Sequence, residues 1–128
     1  TAATIVSSIA AVILGAPDAT ARGSFIIREQ LQPTVAFDVL YEGFIGPAHR
    51  ALTNLVARTL DLPGDDPAAV LHAHGLLGQA LIFVLARATL LRRLGDDTLS
   101  TERIDAIVRS VETQVAATLE GLRSREKG

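Results

Sequence analysis

The chain has 128 residues and a formal net charge of −2, from 12 basic and 14 acidic side chains, so it offers no net basic surface for duplex phosphates. It has no Cys, which excludes disulfides and thiolate metal sites and fits the expected cytoplasmic location. Hydrophobic residues reach 48% while aromatics are only 4%, a mixture that favours helix over β-sandwich and points to extra buried surface at a cavity or a subunit interface. The expectation is one all-α domain over residues 1–128, built from about five helices.

A first helix is expected over residues 2–14, where Ile5, Val6, Ile9, Val12 and Ile13 follow helical spacing. Gly15-Ala16-Pro17 ends it. The apolar stretch 5–14 is short and has no basic leader, so neither a signal peptide nor a membrane span is expected. A second helix, 18–31, carries Phe25, Ile26 and Ile27 and stops before Pro33, which lacks an N–H. Thr34 can cap a third helix, 35–60, with Val35, Val39, Leu40, Phe44, Leu52, Leu55 and Val56 inward and a kink at Gly46-Pro47. After the loop 61–65, Asp66 caps and Pro67 opens a fourth helix. Arg92, Arg93 and Gly95 close it at about residue 94. Ser100 caps the last helix, to about residue 123, with a stripe of Ile104, Ile107, Val108, Val111, Val115, Thr118, Leu119 and Leu122. The charged tail 123–128 is expected to fray.

The fourth helix is apolar nearly all round between Leu76 and Leu91, so it is buried on more than one side. Gly75 and Gly78 would admit a second backbone. Paired with the last helix across a two-fold axis, it would make a four-helix interface. The same pattern would also fill the core of a single subunit, and patterning alone leaves both open.

The run Arg28-Glu29-Gln30-Leu31-Gln32-Pro33-Thr34, then Ala36-Phe37 and Gly46-Pro47-Ala48-His49, resembles the C-terminal domain of TetR/AcrR-family regulators, closest to the YbiH-like branch. The likeness continues through His72-Ala73-His74-Gly75-Leu76-Leu77-Gly78-Gln79, Phe83, Leu85-Ala86-Arg87, Leu91-Arg92-Arg93-Leu94-Gly95 and the closing helix, so that it covers residues 23–122. The resemblance implies an effector domain joined to an N-terminal helix-turn-helix, in which a bound small molecule alters the spacing of two DNA-reading heads. It also implies a homodimer through the final two helices, with Leu85, Thr89, Ile107, Val111, Val115 and Leu119 expected at the interface. Any DNA contact is expected through an N-terminal helix-turn-helix domain absent from this chain.

Arg28 interrupts an apolar segment and could present its planar fork to an anionic or carbonyl-bearing effector, or simply pair at the surface. His72 and His74 lie two apart, on different helix faces, which does not suit a metal site. His72, Gly75, Leu76, Gln79, Phe83 and Arg87 share one stripe, a largely apolar wall with a neutral hydrogen-bonding group. Tyr41 and Phe44 could form the facing wall, although the same residues suit ordinary core packing. The expected ligand-binding set is therefore Arg28, Tyr41, Phe44, His72, Leu76, Gln79 and Phe83, around a small, mostly apolar effector between the second, third and fourth helices. A structural dimerisation module without ligand is the alternative. No nucleophile elbow, phosphate loop or metal-binding helix motif occurs, so no catalysis, metal or cofactor is expected.

Overall fold

A computed structural model describes residues 1–127. These form α1 (Ala2–Gly15), α2 (Ala19–Leu31), α3 (Val35–Leu40), one π-helical turn (Tyr41–Ile45), α4 (Gly46–Leu60), α5 (Pro67–Leu85), α6 (Arg87–Leu94) and α7 (Thr101–Lys127), with no strand among the described residues. The all-α expectation holds. Two expected helices are subdivided, so seven α-helices replace five.

Local chemistry sets most boundaries. Thr1, Thr34, Asp66 and Ser100 each accept a backbone N–H at a helix start, at 3.1, 3.2, 2.8 and 3.1 Å. Asp61 and Gly95 close α4 and α6 in the left-handed region, at φ 59° and 74°. At the α2–α3 junction the buried Glu29 carboxylate accepts the Thr34 N–H at 3.0 Å and its hydroxyl at 2.8 Å. These two donors, hydroxyl first, hold the Glu29 carboxyl below its ordinary range although burial pushes the other way.

The kink expected at Gly46-Pro47 takes the form of the π turn that ends just before it. Pro47 has no N–H and its ring crowds the carbonyl four residues back, so a wider turn relieves the clash. Gly46 closes that turn through its N–H to the Tyr41 carbonyl. A Cβ at Gly46 would lie 2.8 Å from that oxygen and 3.1 Å from the Tyr41 ring. The expected fourth helix breaks at Ala86, at φ −109° and ψ 36°. Neither Gly nor Pro marks that point, and no local residue explains it. At the other end, α7 continues past the expected end at about residue 123 to Lys127, with Arg123 paired to Glu120 at 3.3 Å. Gly128 lies outside the described residues.

The core is built from α1, α4, α5 and α7. α1 lies along α7, and Val6 and Ala10 meet the inward stripe Ile107, Val111 and Val115. Leu52 and Val56 of α4 and Ala69, Ala73, Leu76 and Ala80 of α5 complete it. The alanines keep α5 close to its neighbours. α2 turns away from α1 by 118° and packs on α1 and α5 from outside.

This packing corrects the interface expectation. Ile107, Val111 and Val115 are 7%, 0% and 0% exposed within one chain, because α1 covers them. Leu119 is half-buried against the same core. None of the first three can also face a second copy.

Leu76 is 1% exposed and Leu71, on the same helix, is 72% exposed. Leu76→Ala should cost about 2–5 kcal/mol in urea denaturation, whereas Leu71→Ala should change stability by less than about 0.5 kcal/mol in the monomeric state. Equal effects would show that α5 is not seated as described.

Candidate functional site

Three features lie outside the packed core. The first is the outer face of α5. Leu71, Ile82 and Leu85 are 72%, 49% and 61% exposed, and Gly75 and Gly78 on the same side have open space where a side chain would be. The helix has no Asp, Glu, Lys or Arg over its 19 positions and is long and apolar enough to cross a membrane, yet only 22% of the apolar window is buried in the chain. Beside it, α7 exposes Gln114, Ala117, Thr118 and Gly121 at helical spacing. The Gln79 amide N–H donates to Thr118 Oγ1 at 3.2 Å across the seam. Its Oε1 is buried and lacks a donor. An unmatched buried acceptor is costly.

The second feature is a groove between the end of α1, α2, the end of α5 and α6. An apolar slot of about 220 Å³ lies between Ile13, Ile26, Ile27, Leu81 and Val84. It shares walls with a mouth of about 360 Å³, to which Thr20, Ser24, Arg87 and Leu91 contribute. Gly23 brings α2 against α5 here, since a Cβ on it would lie 2.7 Å from Val84 Cγ1. That close crossing sets the width of the slot.

The third feature is a depression of about 560 Å³ over α4 and the start of α5, lined by Tyr41, His49, Arg50, Thr53, Asn54 and Asp65 among others. At its edge His49 Nε2 meets His74 Nδ1 at 3.2 Å. The ring centroids are 5.4 Å apart with planes 27° from parallel. A centroid separation that exceeds the N···N distance by about two ring radii places the nitrogens between the rings, so the contact is an in-line hydrogen bond rather than a face-to-face stack. The Thr53 hydroxyl donates to the His49 carbonyl at 2.8 Å, which leaves its oxygen to accept from His49 Nδ1–H at 3.1 Å. His49 Nε2 is then bare, and His74 Nδ1–H donates to it. Burial, and then the neighbouring His74, hold the His49 imidazole below its ordinary value.

The expected ligand set does not converge. Arg28 lies over the Phe25 ring at 5.5 Å, on the outer side of α2. Tyr41 lines the His49 depression, while Phe44 is 57% exposed and lines none of these hollows. Leu76 belongs to the core, and Phe83 packs against it. Gln79 faces α7 rather than Tyr41 and Phe44. His72 is half-buried and lines none of these hollows. The stripe fails as one wall because α5 turns that side toward its own core and α7. Of the expected interface residues, Leu85 and Thr89 are exposed, and Leu85 also walls the slot. Sequence reasoning missed Ile13, Gly23, Ile27 and Val84. A glycine amid the helical pattern of α2 was the available signal. The His49–His74 contact spans 25 residues and has no local signature.

Residues 3–122 match the family described as "HTH-type transcriptional dual regulator CecR, C-terminal domain". The HTH-type transcriptional dual regulator CecR of Shigella flexneri is 34% identical over 113 residues, 88% of this chain and 51% of that protein. The chain thus spans about half the length of this curated relative.

The histidine contact generates a pH dependence. The folded His49 value lies below the unfolded 6.5, so the unfolded chain binds more protons in the window beneath 6.5 and stability is lost as the pH falls through it. Thermal melts from about pH 8 to about pH 5 should show this loss in the native chain and a smaller one in His49→Gln. Identical slopes would remove His49 as the cause.

Proposed function

The chain belongs to the family of CecR C-terminal domains, and from that premise we propose that it is the effector-binding and dimerisation part of a TetR-type transcriptional regulator. A regulator of this kind needs a surface that joins two copies and a site whose occupancy changes their arrangement. The unpartnered α5 face supports the first, and this observation carries the reading. Leu71, Ile82 and Leu85 leave apolar area in water that a second copy would remove, and Gly75 and Gly78 permit close backbone approach. The small α7 residues Ala117, Thr118 and Gly121 extend that face, and the unpaired Gln79 oxygen lies in the same seam. Two α5 and two α7 helices then meet as a four-helix interface, with the β-branched α7 stripe turned inward to α1. A two-fold axis makes the patch self-complementary.

The groove between α2 and α5 supports the second requirement. It is the most apolar hollow described, and its walls come from helices that the core holds unequally. α5 is anchored by Ala69, Ala73, Leu76 and Ala80, whereas α2 buries only Gly23 and Glu29. A small, mostly apolar molecule in the slot would separate α2 from α5 at the 118° elbow with α1. Only its difference in affinity between the two arrangements can shift them, and a useful switch needs roughly 1–3 kcal/mol of such coupling. By this reading the DNA contact lies in an N-terminal helix-turn-helix; the CecR relative is named as an HTH-type regulator.

Light scattering at micromolar concentration tests the interface. The chain should run as a dimer, and Ile82→Arg, which sets like charges against each other across the axis, should yield a folded monomer with unchanged far-ultraviolet dichroism. A native chain that is monomeric at all concentrations, or an Ile82→Arg chain that remains dimeric, overturns the proposed face. Transfer of the native chain to detergent micelles only would mark α5 as lipid-facing instead.

A further inference from the structure

The apolar slot opens onto an unpaired cation. Arg87 begins α6, is half-buried, and lines the groove mouth with Thr20 and Ser24. Arg22, Arg103 and Arg123 each hold a carboxylate, at 2.8, 2.9 and 3.3 Å. Arg87 has no ion pair or side-chain hydrogen bond among the described residues. Asp18 shares the adjoining hollow with Arg87, but Arg22 occupies it at 2.8 Å. Arg28, the cation that the sequence singled out, lies over Phe25 and lines a separate shallow hollow. The slot behind Arg87 has Gln30 as its one polar side chain.

Resting on the effector reading above, we infer that this groove takes an amphipathic anion, its aliphatic or aromatic body in the slot and its carboxylate at Arg87. A guanidinium partly withdrawn from water gains most from a planar oxyanion that it can grip with two parallel hydrogen bonds. The Thr20 and Ser24 hydroxyls stand on the α2 side of the mouth as further donors. A neutral ligand of equal body would gain only the apolar part. The anion therefore ties α2, which carries the hydroxyls and Ile27, to the α5–α6 joint, which carries Val84 and Arg87. Its occupancy reports directly on the spacing of those two elements.

Titration calorimetry of the native chain with decanoate and, separately, decanol tests this. Decanoate should bind one per chain and more tightly than decanol. Arg87→Gln should weaken decanoate by about tenfold or more and leave decanol within about twofold. Ile27→Trp, which fills the slot, and Ser24→Trp, at its exposed rim, should each block both. Decanol binding as tightly as decanoate, with both blocked by the Trp variants, overturns the anion inference and leaves the effector groove standing. Decanoate binding that survives both Trp variants places the site elsewhere and also overturns it. Failure of decanoate, decanol and the neutral dye Nile red alike to bind removes the groove as an effector site, and the inference falls with it.

Discussion

The packing of α1 along α7 sets the rest of the molecule. Val6 and Ala10 close over Val111 and Val115, both fully buried, so the most regular apolar stripe in the chain is satisfied internally. α4 and α5 complete the core through Leu52, Val56 and Leu76. With α7's stripe covered, the outer apolar residues of α5 have no partner among the described residues. Its outer residues therefore remain in water in one subunit, and the unmatched Gln79 oxygen lies at the boundary between the filled interior and the open face.

The groove follows from the same arrangement. α2 cannot enter a core already occupied by four helices, so it lies across α1 and α5 from outside. Gly23 permits that crossing at Val84, and the space left beside it is the slot. The break at Ala86 turns α6 out of line with α5 and brings Arg87 to the mouth of the groove. Two independent departures from regular helix packing, a missing Cβ and an interrupted helix, thus define the two ends of one hollow.

The other side of the molecule is organised by the π turn before Gly46-Pro47. It shifts the phase of the side chains between α3 and α4. Downstream of it, His49 faces α5 and meets His74, with Thr53 fixing the tautomer that makes the contact possible. Glu29 performs a comparable task at the α2–α3 junction, where its carboxylate binds both donors of Thr34. Neither group needs a ligand to account for its position.

Helix starts and stops were legible in the sequence because they are local. Thr34, Asp66 and Ser100 cap through their own side chains, Pro33 removes a donor, and Gly95 supplies a left-handed residue, so each acts within a few positions of itself. The all-α class followed from the same local chemistry, and the family likeness from runs of adjacent residues. Which side of an apolar helix meets the core is not a local property. Ile107, Val111 and Val115 read equally well as interface or interior, and the placement of α1 decided for interior. Leu76 and Gln79 read as one pocket wall until α5 set Leu76 into the core and Gln79 against α7. The groove joins Ile13, Gly23, Ile27, Val84 and Arg87, and the histidine contact joins His49 to His74. Residues so far apart in the chain become neighbours only when helices cross, and crossing angles depend on side-chain shapes over whole surfaces, which no short stretch of sequence contains.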